Sequence, residues 1–200
     1  MTQIKDAKAT MRREVQARLD ALDAADRRRR SLAICQRVET LECWQRQGLT
    51  MLYMPFGAEV DVGPLALSRL AQGRGVCVPV FEVATRRMWA VELAGWTPDL
   101  WPRGRMGVPV APPGRTVGVE EIGVIIAPGV AFDAAGNRLG RGMGFYDRFL
   151  SDPAMKAAVV GVAFEEQVVG SVPRESTDAP LHAVVTEQRA LLANPQRPRG

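Results

Sequence analysis

The stretch VIIAPGVAFDAAGNRLGRGMGFYDRFL, Val124 to Leu150, decides the fold class, because a strand, a turn, a glycine-rich loop and a helix follow one another in it. Val124 to Ala127 is a short apolar run ended by proline and glycine, as expected for a buried strand. Gly140, Gly142 and Gly144 alternate, so the backbone can take positive φ angles and turn several N–H groups toward one point, a nest for phosphate oxygens. A helix beginning near Gly144 adds its partially positive N-terminus. Arg138 and Arg141 flank the glycines, and guanidinium forks match phosphate and carboxylate oxygens. Asp147 follows within one turn of the helix start. A carboxylate there serves as a magnesium ligand beside the phosphates, as a partner of the helix dipole, or as an ion-pair partner of Arg148. The loop fits neither the Walker A pattern, which ends in Gly-Lys-Ser/Thr, nor G-x-G-x-x-G. By spacing alone a phosphate cradle and a purely structural glycine turn stand level.

Working outward, Met11, Val15, Leu19 and Leu22 recur at helical spacing between Ile4 and Leu22, with Lys8 and Arg12 four apart along one side. A second helix is expected from Ala24 to about Gln47, with Asp23 as N-cap and Gly48 just past its end. LTMLYMPF, Leu49 to Phe56, then changes the period to that of a buried strand. A helix from Pro64 to Gln72, closed by Gly73, and strand-like runs at Val76 to Val83, Met88 to Leu93, Ala158 to Phe164 and Ala183 to Thr186 complete the pattern. Alternation of strands and helices predicts an α/β class with a mainly parallel sheet. Gly95 to Gly118, rich in proline and glycine, reads as a long surface connection.

A chain of 200 residues suits one domain, expected over residues 1–193, with the tail NPQRPRG (194–200) disordered. Hydrophobic residues at 46% and charged ones at 24% exclude a disordered chain. A net charge of +4 suits an anionic small molecule as well as nucleic acid. Arg27 to Arg30 lie in a helical stretch beside Asp23 and Asp26, so a solvated helix face is favoured over a nucleic-acid patch. Cys35, Cys43 and Cys77 form no Cys-x-x-Cys pair and imply reduced, mostly buried thiols. No signal-peptide core or membrane-length apolar run is present, so a cytoplasmic location with no membrane partner is expected. His182 is the only histidine, which excludes a histidine-pair metal site; a surface or capping role is favoured for it.

Taken with Lys8-x-x-x-Arg12, with MPFGAEVD at Met54 to Asp61 and with VGVAFEEQVVGSVPRESTDAPLHAVVTE near the C-terminus, APGVAFDAAGNRLGRGMGFYDRFL closely resembles the signature of 5-formyltetrahydrofolate cyclo-ligases. That resemblance implies a three-layer α/β/α fold like the sugar-phosphate isomerase and CoA-transferase group. It also implies an ATP-driven cyclisation with Mg2+: the formyl oxygen of 5-formyltetrahydrofolate takes the γ-phosphoryl group, N10 attacks the activated carbon, and phosphate leaves. Phosphoryl transfer depends on placement and charge neutralisation, so no catalytic histidine or cysteine is needed. By the resemblance, ATP is held by Lys8, Arg12, Arg138, Leu139, Gly140, Arg141, Gly142, Met143, Gly144, Phe145 and Tyr146. Arg141 faces the developing charge, and Asp147 with Asp178 holds magnesium. Met54 and Glu59, with Arg141 to Phe145, contact the folate, Glu59 accepting hydrogen bonds from pterin N–H groups.

Three positions depart from the family pattern. Met143 stands where glycine or lysine is usual, Phe145 where tyrosine is common, and Ala111, in GVPVAP from Gly107 to Pro112, where a glutamate usually precedes the last proline. The readings weighed against an active cyclo-ligase are a paralogue with another substrate or a regulatory role, and a basic nucleic-acid-binding module. The partners expected are ATP and a reduced folate, with no nucleic acid, and the chain is expected to act as a monomer.

Overall fold

The computed structural model describes residues 2–104 and 109–193. The tail expected to be disordered, and Gly107 and Val108 of the GVPVAP segment, lie outside the described residues. Helix α1 spans Thr2–Asp20 and α2 Ala24–Glu39, with the Asp23 carboxylate accepting from the Asp26 N–H at 2.8 Å as N-cap. Strand β1 is Leu49–Met51, α3 is Gly63–Ala71, and β2 Val76–Glu82 turns back into β3 Arg87–Leu93. Then come β4 Thr116–Val117, β5 Ile122–Ala127, β6 Ala131–Asp133, β7 Arg138–Leu139, α4 Phe145–Leu150, β8 Ala158–Val162, β9 Val168–Val169, β10 Ala183–Val185 and β11 Ala190–Leu192.

The main sheet runs β11-β10-β8-β5-β1-β2-β3-β4, and a small second sheet runs β7-β6-β9. Pairings from β10 through β8, β5 and β1 to β2 are parallel; β11, β3 and β4 add antiparallel strands at the two ends. Successive side chains of a strand point to opposite faces, and here both faces are buried. Leu52, Val76, Val78, Val124, Ile126, Val160 and Val162 pack with Val15, Leu19, Ile34, Val38 and Leu65 of α1, α2 and α3. Met51, Cys77, Ile125, Ala127 and Val159 pack on the other side with Tyr146, Phe149 and Leu150 of α4. Double-sided burial is why these strands read as continuous apolar runs rather than alternating ones. The α/β class with a mainly parallel sheet between helical layers is as expected.

Several boundaries differ from the sequence reading. Helix α2 ends at Glu39, not near Gln47, because the Thr40 hydroxyl and N–H both return to the Arg37 carbonyl. A one-turn 3-10 helix at Glu42–Gln45 then turns Trp44 into the core. Gly48 is no helix cap; at φ 96 it brings the chain so close to Glu121 and Gly123 that a Cβ would lie 2.6 Å from the Glu121 carbonyl oxygen. The Gly95–Gly118 connection is not wholly on the surface, since Trp101 is buried in the core with the Trp96 ring edge-on at 5.0 Å. Ala111 packs against the same core.

Arg30 departs from the solvated face expected of the arginine run. Its guanidinium is buried over the Phe164 ring at 5.3 Å and donates to Glu166 at 2.9 Å, to Asp26 at 3.4 Å and to Glu187. Arg27 donates to the Leu22 carbonyl, and Arg29 pairs with Asp26. Arg28 and Arg29 stay exposed on the solvated face expected of the run. The hydrogen bond from Arg30 holds the Glu166 carboxyl below its ordinary value of 4.5. A carboxyl depressed in the folded state contributes stability above its unfolded pKa and loses it as pH falls through the folded value. Arg30→Ala should therefore lower unfolding free energy by about 3 kcal/mol at neutral pH, because Glu166 and Glu187 both lose the buried cation they share. Urea midpoints should also show a shallower further loss below pH 4.5 than in the parent.

Candidate active site

Strand β5 ends at Ala127, and the chain enters the β6–β7 hairpin through Pro128 and Gly129. Asp133, buried, shapes the hairpin turn: its Oδ1 accepts from the N–H groups of Ala135 and Asn137, both at 3.0 Å, and its Oδ2 accepts from Val172 N–H at 2.9 Å. Gly136 completes the turn at φ 81. The hairpin thus delivers the glycine loop at a fixed place, a function of Asp133 that sequence reading missed although the Asp-x-x-Gly-Asn spacing signals an Asx-type turn.

In the loop, Gly142 (φ 100) and Gly144 (φ 65) are left-handed, as the nest reading requires, whereas Gly140 is not. Gly140 instead makes room for Arg138, whose Nη1 would lie 2.9 Å from an added Cβ. None of the N–H groups of residues 141–144 donates to a protein acceptor among the described residues. Unpaired, accessible amides are available to an anion. Helix α4 has only six residues, so the loop amides outweigh the helix end expected to assist them.

Arg12, Arg138, Arg141 and Arg148 contact or belong to the loop, and Lys8 lies one helical turn from Arg12 on α1. Arg12 Nε donates to the Gly140 carbonyl at 2.8 Å from α1. Arg138, buried, donates to Asp147 at 2.7 Å and to the Pro128 carbonyl at 3.3 Å, and its Nε has no protein partner. Arg141 is exposed and pairs through Nη2 with Glu59 at 2.9 Å, its guanidinium 5.8 Å from the Phe56 ring centroid. Lys8 is buried and donates to Asp178 at 2.7 Å and Glu175 at 3.1 Å. Burial alone would lower the Lys8 pKa, but hydrogen bonds to the two carboxylates more than reverse that and raise it. The ammonium therefore stays charged until pH exceeds the ordinary lysine value of 10.5. Lys8 and Arg12 are no solvated helical edge. An open cleft of ≈ 450 Å³ beside the loop is lined by Arg12, Arg13, Gln16, Asp20, Val130 and Arg141. Arg13 and Glu175 were not anticipated; each lies within three residues of a site residue that was.

Glu59 follows β1, and its second oxygen accepts from Phe56 N–H at 3.0 Å. Met54 is nearly buried in the same segment. Leu139 has its side chain in the core, so only its backbone can face a ligand. Tyr146 is the core aromatic of the Phe145–Tyr146 pair: its hydroxyl is buried without a protein partner, and burial drives its pKa well up. Phe145 is half-buried, edge-on to Phe81 at 5.0 Å. Met143 is exposed at the loop's tip. Asp147 pairs with Arg138 rather than with Arg148.

Among the described residues no three His, Cys, Asp or Glu side chains cluster as an all-protein metal cage. Asp147 and Asp178 each spend one oxygen on a cation and leave the other without a protein donor. One or two carboxylates with spare oxygens, beside a phosphate cradle, are the donor set magnesium uses when phosphates and water supply the rest. The thiols are free but inert, with burial pushing Cys35 and Cys77 up to about 12. His182, half-buried, accepts from Val159 N–H at 3.0 Å on its Nδ1, a contact with strand β8.

Comparison with known proteins gives a consistent result. A family model described as the 5-formyltetrahydrofolate cyclo-ligase family matches residues 4–187. A 5-formyltetrahydrofolate cyclo-ligase of Mycolicibacterium smegmatis is 34% identical over 151 residues, covering 70% of this chain and 74% of the relative. One of Mus musculus is 27% identical over 194 residues, covering 92% and 95%. The NMR structure of 5,10-methenyltetrahydrofolate synthetase from Aquifex aeolicus superposes with a TM-score of 0.77 at 30% identity, covering 96% of both chains.

Gly142→Ala tests the cradle directly. A side chain at φ 100 is strained by about 1–2 kcal/mol, so the loop should relax out of its left-handed turn. Calorimetric binding of magnesium ATP should weaken about tenfold, with the thermal midpoint unchanged because the loop is exposed. Unaltered nucleotide affinity would show that these amides hold no phosphate.

Proposed function

The chain belongs to the 5-formyltetrahydrofolate cyclo-ligase family and has that ligase activity, and from this premise we propose that it spends ATP to close 5-formyltetrahydrofolate into 5,10-methenyltetrahydrofolate, with ADP and phosphate as the other products. One observation carries the reading: the Arg141 guanidinium, rising from the glycine loop, lies 2.9 Å from the Glu59 carboxylate, which rises from a different strand end. A group suited to phosphate oxygens thereby adjoins a group suited to pterin N–H donors. Both co-substrates' reacting ends would meet there.

In this reading the loop amides with Arg12 and Arg138 hold the triphosphate, and Lys8 adds a fixed positive charge from α1. Glu59 accepts hydrogen bonds from the pterin, Met54 packs against the ring, and Phe145 closes the loop side. The formyl oxygen displaces ADP from the γ-phosphorus, and Arg141 stabilises charge as it spreads over the transferring oxygens. N10 then bonds to the activated carbon, its proton is lost, and the C–O bond to phosphate breaks, leaving the methenyl bridge. Magnesium, carried by Asp147 and Asp178 when bound, supplies neutralisation of phosphate charge. No side chain need act as nucleophile, in keeping with the inert thiols and the structural histidine.

The assay follows methenyltetrahydrofolate absorbance with 5-formyltetrahydrofolate and magnesium ATP; no ATP-dependent signal would sink the proposal. Arg141→Ala should lower kcat by about 10²–10³-fold while the fold persists, since the residue is exposed. Asp147→Asn should raise the magnesium concentration needed for half-maximal rate, with partial recovery at saturating metal. Recovery separates a lost metal contact from the loss of the Arg138 ion pair, which added magnesium would not restore.

A further inference from the structure

We propose that Arg148 is a positioning residue for the triphosphate, acting through the backbone of the glycine loop; the proposal rests on the ATP reading above and assigns a residue that reading does not use. Arg148 lies on α4, yet its side chain reaches two other segments. Its Nη2 donates to the Met143 carbonyl at 2.7 Å, and its Nε donates to the Arg86 carbonyl at 3.2 Å. The guanidinium also lies 5.8 Å from the Phe145 ring centroid and against Gly144, where Nη1 would be 3.1 Å from an added Cβ.

The two carbonyls belong to segments of different kind. Met143 lies between two left-handed glycines, the part of the loop with most backbone freedom. Arg86 ends the β2–β3 turn, which is closed by continuous pairing from Val76↔Leu93 to Glu82↔Arg87. Arg86 is itself left-handed, φ 55, the one non-glycine residue among those described with a positive φ. Arg148 therefore ties the glycine-flanked peptide to the end of the paired β2–β3 hairpin.

The tie sets a direction. No peptide in the described chain is cis, and in a planar trans peptide the carbonyl and the following N–H point opposite ways. With the Met143 carbonyl drawn to Arg148, the Gly144 N–H is turned away from it. Arg148 lines a cleft with Arg86, Arg87, Phe145 and Phe149, whereas Arg12 and Arg141 line the other cleft beside the loop. The Gly144 amide is thus turned from the Arg148 side and freed for an anion. The contact uses the carbonyl of residue 143, so it does not depend on the unusual methionine side chain.

The experiment compares purified full-length wild type, Arg148→Ala, Arg148→Lys and Arg87→Ala. KM for magnesium ATP, KM for 5-formyltetrahydrofolate, kcat, and calorimetric Kd for a non-hydrolysable magnesium ATP analogue are measured. Arg87 is an exposed cation of the same patch and controls for lost charge alone. Arg148→Ala should raise both KM for magnesium ATP and the analogue Kd about tenfold, the worth of one charge-assisted hydrogen bond. KM for the folate should change less than about twofold. Arg148→Lys, able to reach one carbonyl, should recover most of the loss, and Arg87→Ala should match wild type. The proposal is overturned if Arg148→Ala leaves nucleotide affinity unchanged, if both KM values rise together, or if Arg87→Ala does the same. Should Arg148→Ala fail to fold, Arg148→Gln carries the same comparison. Wild type that binds the analogue without turnover would defeat the functional reading alone, and the Kd series would still decide the role of Arg148.

Discussion

The glycine loop and the Glu59 segment hang from the carboxyl ends of two neighbouring parallel strands. β1 and β5 are paired through Thr50↔Val124 and Met51↔Ile125, so the segments that leave them emerge side by side. From β1 come Met54, Phe56 and Glu59; from β5 come Pro128, the β6–β7 hairpin and the glycine loop. Open parallel sheets place ligands at these strand ends because the connections leave a crevice there. The contact between Glu59 and Arg141, 82 residues apart in sequence, is a product of that pairing. A one-residue slip would exchange the two faces of β5 and remove it.

The charge arrangement follows a second rule, that every cation at the site is already engaged but few are saturated. Arg12 spends Nε on a loop carbonyl and keeps its two terminal nitrogens. Arg138 leaves Nε unused, and Arg141 holds one oxygen of Glu59. Fixed partners keep long side chains from paying their full ordering entropy when an anion arrives, which is the physical content of preorganisation. The Arg30 cluster differs: its guanidinium is enclosed by three carboxylates and is spent on holding α2 to the segments around Glu166 and Glu187.

Legibility in the sequence follows range. Strands buried on both faces announce themselves as apolar runs, and α1 announces itself through Val15 and Leu19; those elements and the sheet's mainly parallel sense were readable. Strands of two or three residues, such as β4, β7 and β9, carry no period to detect. The Thr40 cap of α2 is local, but the turn that follows it carries Trp44 into the core, a tertiary event invisible to local propensity. At the site, residue types pointed to Arg138, Arg141 and Asp147, but partners did not follow from spacing. Asp147 lies next to Arg148 in the chain and pairs with Arg138 across the glycine loop. Arg30 looked solvated because its three acidic partners include two more than 130 residues away.

Met143 shows what kind of information a glycine loop carries. Its side chain is exposed and its neighbours, Gly142 and Gly144, hold the left-handed angles. Position 143 contributes a carbonyl to Arg148 and so needs no particular side chain for that contact. Gly142 and Gly144 are constrained by φ, and Gly140 by the space Arg138 occupies. Replacement of the usual glycine or lysine by methionine therefore removes backbone freedom or an ammonium group while leaving the loop's hydrogen-bonding frame intact. The constraint lies in three glycines and the arginines that hold the carbonyls between them, and the chain satisfies it with an atypical residue at the loop's tip.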